Sequence, residues 1–109
     1  MNLDELAKEI HDTAVSKGFW DPMTRMHDED HFVFYSKQLA MIHSEATEVL
    51  EALRKNKGER QVVEELADII IRVLDLYKGL GEYGAIDPEM SLDHILKHKV
   101  IFLSLIHIS

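Results

Sequence analysis

Apolar residues recur three and four positions apart along most of this chain, the period of a helix with one buried face. Leu3, Leu6, Ala7, Ile10 and Ala14 share a face and predict a first helix from Asn2 to about Lys17. Asn2 with Glu5 three residues on suits its N-terminus, and Gly18 its stop. Phe19 to Asp30 is polar, mixed and interrupted by Pro22, so a loop is predicted, anchored by the large Phe19-Trp20 pair. His31 to about Lys55 predicts a second helix that buries Leu39, Ile42, Ala46, Val49, Leu50 and Leu53. Asn56-Lys57-Gly58 reads as a turn. Glu59 to about Leu80 predicts a central third helix, because Val62, Val63, Leu66, Ile69, Ile70, Val73, Leu74 and Tyr77 cover more than half its surface. Gly79, Gly81 and Gly84 are read as ending it. Asp87 as N-cap and Pro88 at the first helical position predict the start of a fourth helix through Leu92, Ile95, Leu96 and Lys99.

No competing strand alternation, internal repeat or low-complexity tract is present, so the expected class is all-α, a four-helix arrangement. The segment from Val100 to Ser109 departs from the pattern. Seven of its ten residues are apolar and none is charged. It reads either as a buried terminal helix or oligomer contact, or as a tail foreign to the domain. The expected organisation is one domain over residues 1–99 followed by an apolar tail, 100–109.

Composition narrows the chemistry. The 109 residues fit one small domain, and 46% apolar content is globular. Twelve Lys and Arg against twenty Asp and Glu give a net charge of −8. That balance argues against a nucleic-acid polymer, which needs a basic face. It leaves room for small phosphate ligands bridged to acids by metal. The absence of cysteine excludes disulfides, thiolate metal sites and thiol nucleophiles. No apolar stretch is long enough to span a bilayer, and the acidic start does not read as a signal peptide, so the expected compartment is the cytoplasm.

Two acidic pairs carry the candidate chemistry. Glu45 and Glu48 are three apart on the second helix, and Glu65 and Asp68 three apart on the third, so each pair shares a face. Counted from the turn near Lys57, Glu48 pairs in level with Glu65 and Glu45 with Asp68, each within about one residue, or 1.5 Å of rise. If both faces point inward, four carboxylates converge. Two like charges about 5 Å apart repel by roughly 3 kcal/mol at an effective dielectric near 20, so a neutralising partner is needed. Hard oxygen donors select Mg²⁺, Mn²⁺ or Ca²⁺. The competing reading is two solvated acidic faces. Against it, Ile42, Ala46, Val49 and Ala52 surround the first pair, whereas Glu51 has Arg54 and Lys55 within reach, as a surface acid does. The polar stripe Glu65, Asp68, Arg72 and Asp75 is expected to face a cavity, with Asp75 extending the site or, more simply, pairing with Arg72.

At these residues the chain resembles a known family. Ser44-Glu45-Ala46-Thr47-Glu48-Val49-Leu50-Glu51-Ala52-Leu53-Arg54 and Glu64-Glu65-Leu66-Ala67-Asp68-Ile69-Ile70-Ile71-Arg72 are similar to the two signature helices of the MazG-like all-α nucleoside triphosphate pyrophosphatases, E-x-x-E followed by E-x-x-D. The likeness runs from about Leu3 to Lys99 and includes Gly18-Phe19-Trp20-Asp21. It implies a Mg²⁺-dependent hydrolase, with Mn²⁺ as a substitute, that cleaves a nucleoside triphosphate to the monophosphate and pyrophosphate, with clearing of non-standard nucleotides as the expected role. It assigns the metal to Glu45, Glu48, Glu65 and Asp68; Glu48 is the preferred proton acceptor within that quartet. It also implies a homodimer or homotetramer. Relatives carry Asn and Arg at the positions of Leu103 and Ile106, which favours the foreign-tail reading.

Other residues have two readings each. Trp20 stacks on a nucleobase or anchors its loop in the core. Lys37, with His43, flanks the acids on the second helix, and Lys99 holds the place of a lysine in relatives; both lysines are candidate phosphate contacts. His27 with His31 and His94 with His98 have helical spacing but no E-x-x-H motif, so they read as surface pairs and a di-iron bundle is poorly supported. The functional alternative is a catalytically silent helical oligomer that binds nucleotide or metal as an interaction module.

Overall fold

The computed structural model describes residues 1–106 as an all-α protein with no strand among them. His107, Ile108 and Ser109, the end of the apolar tail, lie outside the described residues. Five helices run in chain order: α1 (Leu3–Ser16), α2 (Asp21–Arg25), α3 (His31–Arg54), α4 (Glu59–Glu82) and α5 (Leu92–Leu105), with a 3-10 turn at Asp28–Asp30 before α3. The long helices α3 and α4 form an antiparallel hairpin, and α1 packs along α4.

Local signals explain most boundaries. The Asn2 side chain accepts the Glu5 amide at 2.9 Å and caps α1, while Gly18 at φ +83° ends it in the left-handed region that favours glycine. The expected loop from Phe19 to Asp30 contains α2, because Pro22 sits in its first turn, where a missing N–H costs nothing. The helix α4 runs through Gly79 and Gly81 to Glu82, beyond the expected end near Leu80. Gly79 is a contact glycine: a Cβ there would lie 2.0 Å from the Trp20 ring.

The start of the last helix is corrected. Ser91, not Asp87, is the N-cap, and its hydroxyl accepts the His94 amide at 3.0 Å. Asp87 instead accepts the Glu89 amide at 2.9 Å within a turn. Tertiary contacts override the local Asp-Pro signal. The Tyr77 hydroxyl donates to the Met90 carbonyl at 2.6 Å and accepts the Leu92 amide at 3.2 Å. Asp4 accepts the Ser91 hydroxyl and the Asp93 amide, and Asp93 in return accepts the Leu3 amide at 3.0 Å. Thus α1 and α5 each close the other's N-terminus.

These bonds tie stability to pH. Burial alone would raise the Asp4 carboxyl, but the Ser91 hydroxyl, the Asp93 amide and Tyr77 outweigh it and hold it below its ordinary value. The Lys97 ammonium, then the Leu3 amide, lower Asp93. Carboxyls lowered by folding stabilise above their unfolded pKa, about 3.9, and lose that contribution as pH falls through the folded value. Thermal unfolding followed between pH 7 and pH 3 should show the melting temperature dropping below about pH 4, less steeply in Asp4→Asn. An equal slope in the variant would refute this assignment.

The core gathers at one end of the hairpin, where Ala14, Trp20, Met23, Phe34, Tyr35 and Leu76 pack together. Trp20 is 2% exposed. Its ring stacks on Tyr83 with centroids 5.6 Å apart and meets Phe34 and His11 at 5.0 and 4.8 Å. Elsewhere the expected burial is not met within the chain. Leu39, Leu50 and Leu53 of α3 are exposed, as are Val63, Leu66, Ile70 and Val73 of α4. A two-helix hairpin has two sides, and α1 covers only one. Val100 to Leu103 and Leu105 on α5 are exposed as well. The radius of gyration, 16.2 Å, exceeds the roughly 13 Å expected of a compact domain this long.

Candidate metal and nucleotide site

The hairpin brings the two acidic pairs together at mid-length. Carboxylate oxygens of Glu45, Glu65 and Asp68 all lie within 4.8 Å of one another. Glu48 is exposed at the rim of this trio. Its carboxyl is raised above the ordinary glutamate value by the neighbouring carboxylates, first Glu45 and then Glu65. Like charges that close favour keeping one proton among them.

One buried oxygen in the cluster lacks a partner. Glu45 Oε1 accepts Arg72 Nε at 3.0 Å, whereas Glu45 Oε2 is buried and makes no hydrogen bond. A buried carboxylate oxygen left unsatisfied is costly. The donor set is oxygen only, and an orphaned oxygen on Glu45, whose carboxylate clusters with those of Glu65 and Asp68, suits a hard divalent cation. The residues present therefore fit Mg²⁺ or Mn²⁺ by donor chemistry.

The cluster opens into a cavity of about 600 Å³. Glu45, Asp68, Arg72 and Asp75 form one wall, Ile10, Thr13 and Lys17 of α1 another, and Phe19 and Gln38 complete it. That volume falls within the range of small-molecule pockets.

The polar stripe of α4 is partnered differently from expectation. Arg72 pairs with Glu45, not with Asp75. Asp75 accepts Trp20 Nε1 at 2.9 and 3.1 Å through its two oxygens and meets His11 Nδ1 at 2.7 Å. His11 is 3% exposed. This buried His11–Asp75–Trp20 group was missed in the sequence, although His11 lies on the Ala7–Ala14 face of α1, which was the available signal. Trp20 thus occupies the core, and stacking on a base would require it to leave that packing.

The two lysines lie elsewhere. Lys37 is exposed on α3, where its neighbour Gln38 is the residue that lines the cavity. Lys99 borders a separate cleft on α5 with His94, Ile95, His98 and Phe102. His31, expected at the surface, is buried edge-on against Tyr35 and Tyr83.

An all-helical hairpin presents clustered carboxylates to a cavity, an arrangement suited to holding a divalent cation. The MazG nucleotide pyrophosphohydrolase domain matches residues 35–101, well over half the chain, and the chain belongs to that family. No curated protein and no solved structure matches it. Family membership places the chain among divalent-metal-dependent nucleotide pyrophosphohydrolases. Among the described residues, no helix is long and apolar enough to cross a membrane.

Proposed function

We propose that this protein hydrolyses nucleoside triphosphates, ribo- or deoxyribo-, to the monophosphate and pyrophosphate with Mg²⁺, Mn²⁺ serving as a substitute. The observation that carries this reading is the orphaned Glu45 Oε2 within the Glu45–Glu65–Asp68 cluster at the cavity wall. Glu45, Glu65 and Asp68, with Glu48 at the rim, would hold the metal. When bound, it would neutralise phosphate charge and acidify a water. Glu48 is the candidate proton acceptor. Its exposure leaves it open to solvent. The cavity seats the nucleoside, and a house-cleaning role toward non-standard nucleotides follows if the lining tolerates altered bases.

The working unit in this reading is a homodimer or homotetramer. The exposed apolar residues of α3 and α4 support it, because burying so many large apolar side chains against a second copy is favourable. Sedimentation should give a multiple of the 12.6 kDa chain mass, and a monomer at micromolar concentration would refute the assembly.

The activity is tested by pyrophosphate release from a panel of standard and modified triphosphates with Mg²⁺ and with EDTA. Metal-dependent release from at least one is expected. Folded protein that binds nucleotide calorimetrically without releasing product would establish the silent binding module instead.

A further inference from the structure

We propose that Arg72 is a positioning residue for the cation: it grips Glu45 by one carboxylate oxygen so that the other is held toward Glu65 and Asp68. This rests on the metal-binding reading above. Along α4, Asp68 and Arg72 are four apart and therefore share a face. The guanidinium reaches across the hairpin to α3, where Nε donates to Glu45 Oε1 at 3.0 Å and Nη1 stands 3.9 Å from Met41 Sδ. Among the described residues it is the one cation ion-paired with the trio. The pair is shielded, with side chains 34% and 12% exposed for Arg72 and Glu45.

The asymmetry within Glu45 carries the inference. Oε1 has a charged donor, and Oε2 is buried with none. A glutamate has three rotatable side-chain bonds, and an unrestrained Glu45 would turn Oε2 toward solvent. The bond from Arg72 Nε prevents that rotation, and the planar guanidinium gives it a direction that an ammonium lacks. Outer partners of this kind orient metal ligands.

Arg72 has a second, opposite effect, because its positive charge repels an incoming cation. Water around the 34%-exposed guanidinium weakens that repulsion, while the hydrogen bond fixes the Glu45 carboxylate directly. Orientation therefore dominates, and the sign of the mutational effect separates the two.

The test is a Mn²⁺ titration of the full chain without nucleotide, with free Mn²⁺ counted by electron paramagnetic resonance and Mg²⁺ followed by calorimetry. Arg72→Gln is expected to weaken cation binding about 10–100-fold, the range for loss of an outer partner. Arg72→Lys should recover part of the loss, since it restores a donor but not its fixed direction. Helical content and melting temperature in EDTA provide the control, because a merely structural role would lower both without separating Lys from Gln in metal affinity. Unchanged or tighter binding in Arg72→Gln, where the wild type binds, would overturn the proposal and leave the metal site standing. A wild-type chain that binds neither ion would overturn the metal-binding reading and this proposal with it.

Discussion

Trp20→Ala is expected to destabilise the protein by about 3–5 kcal/mol, the usual range for truncating a buried tryptophan or phenylalanine to alanine. A domain this size has about 5–15 kcal/mol in total, so the variant should be marginal or unfolded at 37 °C. The ring fills the space between Phe34, Tyr83 and His11, and Gly79 has no side chain because the ring occupies that volume. Truncation would also remove an indole N–H from the Asp75 carboxylate, leaving His11 as its partner. Trp20→Phe should cost less, since it keeps most of the ring. Gly79→Ala should be destabilising as well, by overpacking against that ring. Chemical denaturation of the three variants checks the order. Near-wild-type stability of Trp20→Ala would show that the ring is not a core element.

Glu48→Gln should reduce pyrophosphate release by about 10²–10⁴-fold, the usual worth of a positioned proton acceptor, and leave the fold intact. Glu48 is exposed, so nothing in the packing depends on its charge. The pH argument gives a second, independent readout. Its carboxyl is raised in the folded state, first by Glu45 and then by Glu65, so the folded protein holds the proton more tightly than the unfolded chain. Stability from such a group is present at low pH and is lost as pH rises through the folded value. The metal-free Glu48→Gln variant should therefore melt no lower than wild type at pH 8. Mg²⁺ at 100 times its dissociation constant should stabilise the wild type by about 2.7 kcal/mol. A Glu48→Gln enzyme with full turnover would remove the residue from the chemistry.

Much of this was legible in the sequence because it rests on short-range rules. The apolar period marked α1, α3 and α4, and counting from the Asn56–Gly58 turn placed Glu45 level with Asp68 and Glu48 level with Glu65. An antiparallel hairpin converts such a count directly into proximity, and Glu45, Glu65 and Asp68 do cluster, while Glu48 stays outside that trio. What the sequence hid depended on contacts between distant segments. Nothing local marks Ser91 as a helix start over Asp87, because Asp4 and Tyr77, far away in the chain, decide it. The partners of Arg72 and Asp75 were exchanged for the same reason: neighbours on one helix were weighed, while the true partners come from α3, from α1 and from the turn after it. The apolar girth of α4 was read correctly as composition, but one chain lacks the elements to bury it.

The reciprocal capping of α1 and α5 has a kinetic side. Its bonds join residues about 90 positions apart, so the loop they close is nearly the whole chain. Contacts of that separation carry a larger loop-closure cost than the local α3–α4 hairpin, so they are expected to form after it. Interactions made after the rate-limiting barrier slow unfolding without speeding folding. The two aspartates therefore act as a latch on the finished molecule, lengthening its lifetime once folded while contributing little to how quickly it gets there.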